Sequence, residues 1–168
     1  MKRLKKGFTL IELLVVIAII GILATTLAPK LREQLAKAKD VKAIALLGSA
    51  RTVASTVLIN KMVQADSSGD DLTISLADIQ DQLDNKSLIL MGNDAGETGT
   101  NNITVGASKT LATGGEIKYA TTVSLATSGA AIASDNLITT KGDDVDLTLI
   151  SNLSTHPFST EGKAWNSY

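Results

Sequence analysis

The residue best placed to do chemistry in this chain is Glu12, which stands inside an otherwise apolar run of 21 residues from Phe8 to Ala28. Placing a carboxylate in hydrocarbon costs at least about 2.5 to 3.5 kcal/mol, so an acid at this position calls for a partner. The first candidate is the amine that would exist if the chain were cut between Gly7 and Phe8. The chemistry indicated is charge pairing in a dry environment, not turnover.

Other candidates are weaker. Asp143, Asp144 and Asp146 fall in one acidic loop and Asp66, Asp70 and Asp71 in another. Calcium takes six to eight oxygen ligands, and closely spaced aspartates supply several of them. Asp143, Asp144 and Asp146 are therefore the metal candidates, although their spacing fits no EF-hand and acidic loops are commonly just solvated. The single histidine, His156, precedes Pro157 and has no second ligand in view. Gly96-Glu97-Thr98-Gly99 is glycine-rich but lacks the following Lys-Ser/Thr of a phosphate cradle. No nucleophile and base pair stand at a recognisable spacing, so no enzymatic activity and no cofactor beyond that calcium are expected. The chain has no cysteine, which excludes disulfides and thiol chemistry. Nothing in the sequence speaks for or against nucleic acid as a partner.

Several elements must position Glu12. The run from Phe8 to Ala28 is long enough to cross a bilayer, which takes about 20 apolar residues. Ahead of it Lys2, Arg3, Lys5 and Lys6 form a basic leader, which the positive-inside rule holds in the cytoplasm. Two plainer readings compete. One is a cleavable secretory signal ending at Thr26-Leu27-Ala28, against which Glu12 and the length of the run both speak. The other is a simple anchor whose Glu12 snorkels to the interface. After Pro29 the apolar period continues through Leu31, Leu35, Ala38, Val41, Ala45, Ala50, Val53 and Val57. Pro29 is thus expected to bend or loosen one helix, from Phe8 to about Met62, without ending it. Arg32, Lys39, Lys42 and Arg51 are expected off its packed face. Ala18, Gly21, Ala24 and Ala28 recur at three- or four-residue intervals, a spacing that permits close helix approach.

The basic leader closing on Gly7, then Phe8-Thr9-Leu10-Ile11-Glu12, then an apolar helix reaching Pro29, resembles the type IV pilin and type II secretion pseudopilin superfamily. The resemblance covers about the first third of the chain. It implies cleavage after Gly7 by a prepilin peptidase, methylation of the new N-terminus at Phe8, and polymerisation of copies through their N-terminal helices, with Glu12 as the assembly carboxylate and Pro29 as part of the assembly helix. It implies an α+β fold, a long N-terminal helix packed on a small antiparallel sheet. The organisation expected is a leader at 1–7, a membrane and filament-core helix at 8–29, its amphipathic continuation at 30–64, and an exterior head at 65–168. The implied partners are copies of the same chain in a filament, the peptidase and methyltransferase, the cytoplasmic membrane, and a pilus or secretion assembly platform. The protein would sit in the cytoplasmic membrane with its N-terminus inside, and in an extracellular or periplasmic filament. Three functions stand side by side: a pilus subunit for adhesion, motility or DNA uptake; a secretion pseudopilin; and an anchored exterior binding domain that never polymerises. The lack of cysteine departs from the disulfide-closed major pilins.

The head is read more coarsely. Residues 65–71 are a polar connection, and Ser75 with Asp78 forms a cap ahead of a short helix at about 76–84. Leu88–Met91, Ile103 with Val105, Glu116–Leu125, Leu137–Ile138 and Val145–Leu149 are candidate strands, and a sheet of three to five of them would cover the second half of the long helix. Phe158, Trp165 and Tyr168 put most of the scarce aromatics in the tail, which favours its folding back into the core. Charge is bipolar. From Lys30 to Lys61 seven basic residues face two acids, a net +5, whereas beyond Lys61 five lysines face fourteen acids, a net −9. Such a molecule repels itself head to head and attracts itself head to stalk.

Overall fold

The computed structural model describes residues 7–64, 73–92, 100–127, 130–132, 137–138, 140–141 and 144–168. The polar connection at 65–71, the loop around Gly96 and the acid Asp143 lie outside them. The chain divides into two units, Met1–Leu35 and Ala36–Tyr168. It is an α+β protein with one long N-terminal helix and antiparallel strands.

The long helix, α1, runs from Leu10 to Gln64 with Pro29 inside it. An unbroken apolar period on both sides of Pro29 lets the helix absorb the loss of one backbone donor. In the first unit, every described residue up to Leu35 is exposed. Thr25 and Thr26 turn their hydroxyls back to the carbonyls of Ile22 and Leu23, at 2.8 and 2.9 Å, so neither presents an unsatisfied donor to an apolar surrounding.

The second unit is a core built on the remaining part of α1. Ala43, Leu46, Leu47, Ala50, Ala54, Val57 and Leu58 form its buried face, at intervals of three and four residues. Packed with it lie Val123, Leu125 and Leu149 from the sheet, Leu147 from the segment just ahead of Thr148, and Trp165 from the tail. The main sheet is antiparallel, with order β10 (Thr148–Ser151), β5 (Thr122–Thr127), β2 (Ile103–Thr104), and with β6 (Ala130–Ala131) also paired to β5. Leu149 pairs with Leu125 and Ile103 with Val123, which fixes the register that keeps these side chains inward. Among the described residues three two-stranded ladders accompany it: β1 (Ile74–Ser75) with β7 (Leu137–Ile138), β3 (Ala107–Lys109) with β4 (Ile117–Tyr119), and β8 (Thr140–Lys141) with β9 (Asp144–Val145).

Three elements differ from the sequence expectation. Val145–Leu149, expected as one strand, is divided: Val145 ends β9 and Thr148 begins β10, each paired to a different strand, and Asp146 and Leu147 belong to neither. The single strand over Glu116–Leu125 is two strands, β4 and β5, separated at Ala120, whose φ of 56° is left-handed and breaks the extended backbone. Tyr119 consequently stays exposed while Val123 and Leu125 are buried. The apolar run ending at Met91 belongs not to a strand but to a helix, α3 (Asn85–Leu90), because Asp84 caps it by accepting from the Ser87 N–H. The helix α2 (Leu76–Gln80) begins where expected, with Ser75 and Asp78 in a reciprocal capping box, but closes at Gln80, short of the expected 84.

Candidate functional site

The N-terminal site is built on the first turn of α1. Leu10 opens the helix, so Thr9 is its N-cap and Glu12 its third helical residue. The Thr9 N–H donates to Glu12 Oε2 at 2.8 Å, the Thr9 hydroxyl donates to the same oxygen at 2.7 Å, and the Glu12 N–H donates back to the Thr9 hydroxyl at 3.3 Å. This is a capping box, in which side chain and backbone satisfy each other's orphan groups. Thr-x-x-Glu ahead of an apolar run is a helix-start signal present in the sequence alone, and it gives Glu12 a capping role beside its charge. Among the described residues nothing donates to Glu12 Oε1, so one carboxylate oxygen remains open to a donor from elsewhere.

Around this turn the surface is apolar. Phe8 is 76% exposed, and Leu10, Ile11, Leu13, Leu14, Val15 and Val16 follow it, all exposed. Gly7 precedes Phe8 outside the helix and is exposed, and Pro29 lies exposed within α1. Gly21 has no atom within 4 Å of where a Cβ would stand. The described helix is long and apolar enough to cross a membrane. Burying so many large side chains, each worth roughly 1.5 to 3 kcal/mol, is a strong drive toward lipid or other helices.

A second set of polar contacts fastens the head to its part of α1. Asp40, 3% exposed, accepts from the Gly106 N–H at 2.9 Å, from the Thr160 N–H at 3.0 Å, and from the Thr160 hydroxyl. Burial pushes the Asp40 carboxyl above the usual range, against the pull of the Thr160, Gly106 and Ala107 backbone donors, while the charge of Glu161 also raises it. Gly106 stands so close to the Ala36 backbone that a Cβ there would overlap it. Arg51 is not a solvated charge: its guanidinium donates to the Leu147 carbonyl at 2.9 and 2.6 Å and to the Tyr168 main-chain oxygen at 2.8 Å. The tail does fold back. Trp165 is 1% exposed, its indole N–H donates to Ser108 Oγ at 3.0 Å, and its ring lies 5.8 Å from that of Tyr168.

Other sequence candidates are not drawn together. His156 is buried, with Nδ1 2.8 Å from the Thr155 hydroxyl and Nε2 without a hydrogen-bond partner among the described residues. Asp146 is exposed, Asp144 lies in β9, and no group of three metal-ligating side chains occurs among the described residues.

Comparison with known proteins places the likeness at the same end of the chain. Residues 2–28 match the family model of the prokaryotic N-terminal methylation motif. The type IV major fimbrial protein FimA of Dichelobacter nodosus is 43% identical over 60 residues, 36% of this chain and 38% of that protein. The fimbrial protein EcpB of Eikenella corrodens is 48% identical over 54 residues, 32% of this chain and 34% of that protein. The type IV major pilin protein PilE1 of Neisseria gonorrhoeae is 42% identical over 60 residues, 36% of each chain. The chain thus spans little more than a third of the length of these relatives. No solved structure matches it.

Proposed function

We propose, from an N-terminal third that matches the prokaryotic N-terminal methylation motif and is similar to type IV fimbrial and pilin proteins, that this protein is a structural subunit of a type IV pilus-like filament. In this reading a prepilin peptidase removes residues up to Gly7, Phe8 is methylated as the new N-terminus, and copies leave the cytoplasmic membrane to polymerise through their first helices. The observation that carries the reading is a carboxylate, Glu12, set on an exposed apolar helix with one oxygen uncommitted. Lipid satisfies the apolar side chains but not that oxygen. A bundle of like helices satisfies both, because the Phe8 amine of a neighbour supplies a donor and an opposite charge where each ion alone is costly. The pilus is favoured over the secretion pseudopilin because the relatives reported above are fimbrial and pilin proteins by name.

Mass spectrometry of the protein from its host tests the processing. The expected N-terminus is a methylated Phe8, and Gly7→Val is expected to keep Met1. A chain that retains its leader in the unmutated protein, or begins after Ala28, contradicts the proposal.

A further inference from the structure

Among the described residues of the second unit, exposed charges that its own fold leaves without a hydrogen-bond or ion-pair partner include both signs. Lys39 and Lys42 are exposed on α1 and have no ion-pair or hydrogen-bond partner among the described residues. Further along the same helix, a polar cleft of about 230 Å³ opens between its end and α2, lined by Val57, Asn60, Lys61, Asp78, Asp81 and Gln82 among others. Within it Lys61 is committed to Asp78 at 2.7 Å. Asp81 is left exposed and unpaired, so the cleft holds one uncompensated negative charge. Its volume suits one long side chain with a cationic end.

We propose that the occupant is a lysine of a second copy of this chain, Lys42 with Lys39 beside it, docking on Asp81. The inference rests on the filament reading above, since copies drawn from one membrane share one orientation and their helices run parallel. Lys42 precedes Lys61 by 19 residues of helix, about 28 Å of axial rise at 1.5 Å per residue. A lysine therefore cannot reach the cleft of its own chain, and a parallel neighbour displaced by about 30 Å along the axis can reach it. Next to Lys42 on the exposed side of α1 the helix presents short side chains. Ser49, Thr52 and Thr56 turn their hydroxyls back to the carbonyls of Ala45, Gly48 and Thr52, so none of these three hydroxyls is an unmet donor. Complementary charges of this kind set register and partner choice more than raw affinity.

The absence of cysteine from the natural chain makes the test clean. The double variant Lys42→Cys with Asp81→Cys, oxidised in intact filaments, is expected to give a ladder of dimers, trimers and higher species on non-reducing gels, and each single variant none. In parallel, Lys42→Glu is expected to reduce filament yield about tenfold by setting like charges together, and adding Asp81→Lys to restore it. Filaments that form normally yet give no ladder, or a charge reversal that the second change does not rescue, overturn the proposal and leave the filament reading standing. An unmutated protein that forms no filaments overturns both.

Discussion

Thr9 and Glu12 close the first turn of the long helix on itself, the Glu12 carboxylate accepting both the N–H and the O–H of Thr9 while the Glu12 N–H donates back to the Thr9 hydroxyl. Glu12 therefore has two separable properties, a cap that needs only an acceptor and a charge that needs a counter-ion. Glutamine keeps the first and removes the second. Glu12→Gln is expected to leave helix content by circular dichroism unchanged while filament yield falls, whereas Thr9→Ala frays the first turn, at a cost of about 1 kcal/mol, and leaves the charge in place. If Glu12→Gln assembles as well as the unmutated chain, the charge has no role.

Asp40 is the buried acceptor that joins α1 to the segment before β3 and to the tail. Asp40→Ala orphans the N–H groups of Gly106 and Thr160 and is expected to cost about 2 to 4 kcal/mol, read as a lower melting temperature of the full chain in detergent. The carboxyl, raised by burial, binds its proton more tightly in the folded state than in the unfolded one. Its contribution to folding is therefore greatest in acid and is lost as pH rises through the raised value.

Gly106 and Gly48 give opposite predictions for one substitution. A Cβ at Gly106 meets the Ala36 backbone, so Gly106→Ala must part the helix from the chain entering β3, and a loss of about 2 kcal/mol or more is expected. A Cβ at Gly48 meets nothing within 4 Å, so Gly48→Ala on the helix surface is expected to stabilise by up to about 1 kcal/mol. Paired thermal melts distinguish them.

Asp78 works with the opposite pH sign to Asp40. Its partial burial pushes its carboxyl up, but the Lys61 ammonium and the Ser75 N–H and hydroxyl together outweigh that and hold it below the usual range. A depressed acid stabilises the fold above its unfolded pKa, and that stability drains away as pH falls through the folded value. Asp78→Asn is expected to lower the melting temperature at neutral pH, with the gap to the unmutated chain closing below about pH 4, near the ordinary aspartate pKa. A gap independent of pH would show that the carboxylate charge contributes nothing.

The parts of the molecule legible in the sequence are those where one local pattern decides. The apolar run, the period that survives Pro29, and the Ser75-Asp78 cap each specify a helix without help from distant residues, and the helices form there. The alternation of Val145, Leu147 and Leu149 likewise marks the face that is buried. Structure and sequence pattern part where a short run fits two periods. The run ending at Met91 reads equally as strand or helix, and the Asp84 cap decides it. Nothing in the residues around Ala120 announces a left-handed turn, which the meeting of two ladders imposes. The sequence places Arg51 off the packed face and gives Asp40 no role, because their partners, Leu147 and Thr160, are more than 90 residues away in the chain. No helical or strand period carries such a contact.

Filament formation by Glu12→Ala tests the central claim most directly, with unmutated protein prepared alongside and the membranes of both assayed for the subunit. The account predicts that the variant is inserted and processed, so that methylated Phe8 is found at its N-terminus in the membrane fraction, and that electron microscopy shows filaments containing the unmutated chain and none containing the variant. Filaments of normal length and number from Glu12→Ala would contradict it.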